Sequence, residues 1–160
     1  MQFRNIACLL LVTISFLSLT TACEGSLKLS PADDQANNHF TNAIDYNNQF
    51  IAWSNKQSNQ NQPSFDEWTN SLQMLEEAIQ EAKLCSSDFL QRAHPDLPTM
   101  WNTYFIPSME KIHQYYSDAI QDISFDSAPL VEGLQLDQEW GNWFDKNREV
   151  IRANIRKMAE

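Results

Sequence analysis

Between Ser64 and Ala82 the chain carries its most restrictive pattern. Ser64-Phe65-Asp66-Glu67 has the spacing of a capping box, in which the serine hydroxyl and the glutamate carboxylate each accept from the other's backbone N–H. Phe65, Trp68, Leu72, Leu75, Ile79 and Ala82 then recur at steps of three and four. A strand would need a period of two; this narrow seam is that of a helix packed in a bundle. The spacing continues through Ser86, Phe89 and Ala93. It allows one long helix to about Arg92, or a break at Ser86-Ser87-Asp88.

The rest of the chain keeps the same period. A first helix begins at Ser30-Pro31, with Ser30 as cap and Pro31 at the first helical position. Its stripe is Ala36, Phe40, Ala43, Ile44, Asn47, Phe50 and Ile51. Ser54 to Ser64, "SNKQSNQNQPS", reads as a polar linker. His94-Pro95-Asp96-Leu97-Pro98 reads as a turn. A third helix spans about Pro98 to Ile123, with Pro107 expected to kink it near Phe105. Ser124 to Gly133 is expected to be the last connection, and a fourth helix to start near Leu136 or Asp137. Only three glycines and three valines occur, and no Asn-Gly or Asp-Gly hairpin signal. The expected fold class is all-α: one antiparallel bundle of about four helices over residues 31–160.

Upstream of the bundle, Arg4 is followed by the uncharged run Ile6 to Leu19, shorter than the roughly 20 apolar residues that span a bilayer. With the small residue Ala22 this has the form of a secretory signal over residues 1–22. Cleavage after Ala22 exposes Cys23. The stretch Leu19-Thr20-Thr21-Ala22-Cys23 resembles the lipobox of bacterial membrane lipoproteins, although Thr20 stands where a bulky aliphatic residue is usual. That resemblance covers only the first 23 residues. It implies a lipidated Cys23, a tether over residues 23–30, and an exported protein anchored in the cell envelope. In a diderm cell that means the outer membrane or periplasmic face, since Glu24 rather than Asp follows the cysteine. The other processing route leaves Cys23 as a free thiol, able to pair with Cys85 in an oxidising compartment.

The net charge is −10 at pH 7. Residues 24–139 hold 18 acidic and 5 basic side chains, whereas residues 140–160 hold five basic and three acidic. The body therefore repels nucleic acid and anionic lipid, and suits a basic protein partner or simply solubility.

No motif assembles an active site. There is no Gly-x-Ser-x-Gly and no phosphate-binding loop, so the chain reads as a non-enzyme without a cofactor. Glu110-x-x-His113 places a carboxylate and an imidazole one turn apart, as di-iron bundles do, but the second such pair is missing. It remains the weak candidate for a metal. Trp140, Trp143 and Phe144 cluster at the start of the fourth helix beside Gly141, where close backbone approach is expected. They form either a dense core corner or, with Tyr104, Tyr115 and Tyr116, an aromatic surface for a partner. The expected function is protein binding as an envelope accessory, scaffold or immunity-type subunit. The alternative is a metal- or small-ligand-binding bundle using Glu110 and His113 or an aromatic groove.

Overall fold

A computed structural model describes residues 28–57, 64–121 and 126–160. The expected signal, Cys23 and most of the expected tether lie outside the described residues. Every regular element within them is helical.

Helix α1 spans Pro31–Gln57. Ser30 caps it, its Oγ accepting from the Asp33 N–H at 3.2 Å, and Asp33 and Asp34 sit in the first turn where the helix dipole favours acids. The helix runs four residues into the expected linker. The reason is tertiary: the Trp53 ring lies 4.9 Å from that of Trp68, and Ser54 is buried and hydrogen-bonded to Tyr116. Helix α2 spans Phe65–Leu84 and opens with both halves of the capping box. Ser64 N–H donates to Glu67 Oε2 at 2.8 Å, and Glu67 N–H to Ser64 Oγ at 3.3 Å. These donors hold the Glu67 carboxyl below its usual value.

The chain breaks at Cys85-Ser86, where both residues are extended. Ser86 caps the short α3, Ser87–Ala93, by accepting from the Phe89 N–H. After the turn come α4 (Leu97–Met100), a π-helical turn (Trp101–Phe105) and α5 (Ile106–Ile120). The π turn stands where the sequence leads one to expect a kink at Pro107. Its wider spiral lets the Ile106 N–H reach the Trp101 carbonyl five residues back, and it ends two residues before Pro107, which has no N–H to give. The same turn aims the Trp101 indole N–H at the Ala82 carbonyl, 3.0 Å away and buried. That carbonyl, in the last turn of α2, also accepts from the Cys85 N–H at 3.4 Å, so the indole is its second and shorter donor.

Helix α6 spans Ala128–Lys157 and begins well before the expected Leu136. Pro129 is compatible with a first turn, and Asp126 Oδ1 accepts from the Ala128 N–H at 2.9 Å. Gly133 is inside the helix, and buried, because α6 lies hard against α5 there. A Cβ on Gly133 would stand 2.8 Å from Ile112 Cγ1, 3.0 Å from the Ser108 carbonyl oxygen and 3.1 Å from Lys111 Cβ. Gly141, the position expected to need such an approach, is buried as well.

Each long helix meets the next along its length. The Cys85 thiol at the end of α2 donates to the Ala36 carbonyl near the start of α1, at 3.6 Å. Trp68 near the start of α2 meets Tyr116 near the end of α5. Lys111 of α5 pairs with Glu132 of α6 at 2.9 Å. The middle of the core is a continuous set of rings from four segments: Phe40, Phe89, Trp101, Phe105, Trp140 and Phe144. Each such side chain removed from water contributes roughly 1.5–3 kcal/mol.

Candidate functional site

The aromatic candidates divide by burial. Trp140 is 1 % exposed, Phe144 3 % and Tyr115 3 %. Trp140 faces Trp101 and Phe105, with ring centroids 5.5 and 4.8 Å away. These three residues belong to the core and present no outward surface, which corrects their reading as partner contacts. The physical reason is their spacing: Leu130, Gly133, Asp137, Trp140 and Phe144 recur at steps of three and four, on the face of α6 that is buried. Desolvation raises the Tyr115 hydroxyl to about 12, with Tyr116 adding to it. Trp143 and Tyr104 are only partly buried. The Trp143 and His94 rings stand nearly perpendicular with centroids 5.2 Å apart, which joins α6 to the turn before α4.

Glu110 and His113 are drawn apart rather than together. Glu110 pairs with Lys83 of α2 at 2.7 Å. His113 Nε2 lies 3.7 Å from Glu76 Oε1, also on α2. The pair thus cross-links α5 to α2, and among the described residues no three His, Cys, Asp or Glu side chains gather where they could hold a metal ion.

Cys85 is free within the described structure and partly buried. Burial pushes its thiol to about 12, which suppresses the thiolate that nucleophilic chemistry requires. Asp137 is not conspicuous in the sequence. It sits on the core-facing stripe of α6, 9 % exposed, and desolvation lifts its carboxyl to about 6. No hydrogen bond or ion pair involving it occurs among the described residues. Its signal in the sequence is its spacing: Gly133, Asp137, Trp140 and Phe144 share one helical face.

A polar seam crosses the outside of α1 and α2. His39 Nδ1 lies 2.8 Å from Glu81 Oε2, Asn42 donates to the same oxygen at 3.4 Å, and Gln73 donates to Glu77 at 2.9 Å. Glu77 also raises the pKa of Tyr46 through its charge. Nothing here encloses a substrate. A shallow depression of about 330 Å³ lies on the outer face of α6, lined by Glu132, Gln135, Leu136, Gln138 and Glu139. All five side chains come from one helix, so it is a corrugation of the surface rather than a cleft between elements. No helix among the described residues is long and apolar enough to cross a membrane. No protein-family model, no curated protein and no solved structure matches this chain.

Proposed function

We propose that this chain is an exported protein, anchored by lipid at Cys23, that acts as an envelope accessory, scaffold or immunity-type subunit by binding another protein. Its body in this reading is an antiparallel bundle of four principal helices, α1, α2, α5 with its π turn, and α6. The observation that carries the proposal is the outer face of α6. Glu132 and Glu139 stand exposed there beside Gln135 and Gln138, around the half-buried Leu136. Carboxylates and amides around an apolar centre suit a basic, hydrogen-bonding protein surface. The tightly filled aromatic core supports a surface mode of recognition over a cavity.

Two measurements test it. The intact mass of the protein from the membrane fraction carries the acyl groups on Cys23 if the anchor reading holds, and an unmodified Cys23 ends it. In-cell crosslinking from Gln135 or Gln138 is expected to trap a discrete protein, reduced in the E139K variant and at high salt. An identical crosslink in that variant would remove the α6 face from the proposal.

A further inference from the structure

We infer that the interface between α1 and α6 holds a binding site for a primary ammonium group on an aliphatic stem, received by Asn47 and Asp137. The site is separate from the outer face of α6 and does not depend on the lipid anchor.

The register of the two helices brings these residues together. In the first turn of α1, Asp33 receives both arms of the Arg92 guanidinium from α3, one of them at 3.2 Å. The carbonyl of the next residue, Ala93, accepts from Asn154 Nδ2 of α6 at 3.0 Å. Through α3, the start of α1 and the end of α6 therefore lie at one end of the molecule. Toward the other end, Phe50 of α1 meets Tyr116 of α5, and one turn earlier Ile112 of α5 meets Gly133, near the start of α6. The helices are antiparallel. Between those ends Phe40 faces Phe144, with ring centroids 6.5 Å apart. Asn47 follows Phe40 by seven residues, and Asp137 precedes Phe144 by seven. Seven residues make nearly two turns and about 10 Å of helix. Each polar side chain thus repeats the direction of its phenylalanine, at a matching level, and the two face each other across the same interface.

Both are buried and neither is spent. The described residues bury five polar side chains: Asn47, Ser54, Ser71, Ser108 and Asp137. Ser54 bonds Tyr116, Ser71 donates to the Trp68 carbonyl, and Ser108 to that of Phe105. Asn47, 5 % exposed, and Asp137, 9 %, have no hydrogen-bond partner among the described residues. Helix α1 packs on α2 and α6 on α5, so here the interval between α1 and α6 is spanned by the two phenyl rings. An amide and a carboxylate are shorter than rings and leave it open. Water still reaches them, because the one fully enclosed side-chain nitrogen or oxygen without a partner among the described residues is Arg152 Nε. One turn farther from the rings, Ile51 and Leu134 are half-buried and give the slot an aliphatic wall.

Two carboxylate oxygens and the Asn47 Oδ1 offer acceptors to the three donors of an ammonium, which has no acceptor of its own. A buried carboxylate without a counter-charge is unfavourable, and a hydrogen-bonded cation relieves it. Cations on the surrounding helices are engaged elsewhere: Lys111 with Glu132, Lys83 with Glu110, Arg92 with Asp33 and Asp88, and Arg148 and Arg152 with Glu149. His39 and His113 face Glu81 and Glu76. The group therefore comes from outside the chain, as a free alkylamine or as a lysine of another protein.

The test follows the Asn47 side-chain amide by NMR in the purified full chain, with n-butylammonium, tetramethylammonium or butanol at constant ionic strength. Butylammonium is expected to shift it saturably at roughly millimolar concentration, the scale for so small a ligand. The quaternary ion, which has no N–H, and the uncharged alcohol are expected to leave it in place. D137N is expected to weaken binding at least tenfold. Asp137 takes up its proton near pH 6, so affinity is expected to be about tenfold lower at about pH 5 than at about pH 7. An N-acetylated peptide with a single lysine separates the sources: if it binds like butylammonium the site is supported as a lysine site, and if it is excluded while butylammonium binds, as a site for a free amine. An Asn47 amide that butylammonium does not move, an equal response to tetramethylammonium, or undiminished binding by D137N would overturn the inference.

Discussion

Replacing Gly133 by alanine puts two opposing effects on one atom. In an isolated helix the change stabilises by about 1 kcal/mol, because glycine is the costlier residue in a helix interior. Here the new Cβ meets Ile112 Cγ1 at 2.8 Å, the Ser108 carbonyl oxygen at 3.0 Å and Lys111 Cβ at 3.1 Å. None of the three is the free end of a flexible chain. One is backbone, one is the first atom of a lysine side chain, and Ile112 is buried and branched at its Cβ. Helix α6 must therefore move off α5, and overpacking of this kind costs typically 1–3 kcal/mol. The net expectation for G133A is a loss of about 1 kcal/mol, or roughly 3–5 °C in Tm for a domain of this size. Urea and thermal melts followed by circular dichroism at 222 nm measure it. The partner test is I112A, which removes the shortest of the three contacts and leaves the Ser108 carbonyl and Lys111 Cβ. In that background G133A is expected to cost less than in the parent, so the coupling between the two sites has a definite sign. A G133A protein as stable as the parent, or the same loss in both backgrounds, would refute the close approach as the reason for glycine here.

Asp137 predicts a pH dependence. Its folded-state pKa of about 6 lies above the ordinary aspartate value of 3.8, so the folded state binds the proton more tightly than the unfolded one. Stability from this group is full below about pH 4, falls as pH rises through about 6, and is flat above. Each tenfold difference in proton affinity is worth about 1.4 kcal/mol, so the loss is at most about 3 kcal/mol. D137N is expected to remove that slope and to raise the urea midpoint at pH 7.5; an unchanged profile would contradict it. S64A removes the capping box of α2 and is expected to cost about 1 kcal/mol, with faster amide exchange confined to the first turn after Ser64. Cys85 is expected to resist alkylation in the folded protein at pH 8 and to react promptly in urea, since its thiol is raised to about 12 and hydrogen-bonded to Ala36. Equal rates in the two conditions would mean that α1 does not shield it.

The start of α2 is readable because a capping box is local chemistry: four consecutive residues contain the whole device. The end of α1 and the start of α6 are not, because their helicity is decided by distant partners. "SNKQ" looks like linker until Ser54 meets Tyr116. "APLVEG" looks like linker until Gly133 meets Ser108. The π turn is hidden for the same reason, since the Ala82 carbonyl that Trp101 serves is 19 residues away. Among the site candidates, Trp140 and Phe144 have the spacing of core residues, and their hydrophobic character alone does not distinguish core from contact surface. Glu110 and His113 share a helix face as their spacing implies, but which residues of α2 claim them lies beyond any local pattern.

The strap between Asp33 and Arg92 has a mechanical consequence. In a tethered protein, any pull enters the body at Pro31, two residues before the strap. Tension along α1 must slide its rings past α2 and the core all at once, whereas tension across it can peel the helix away turn by turn, beginning at that guanidinium. If the chain is anchored as proposed, its resistance to such a pull is set by the angle of pull, and the first link to part under a sideways tug is an ion pair at the rim, well before Phe40 leaves its neighbours.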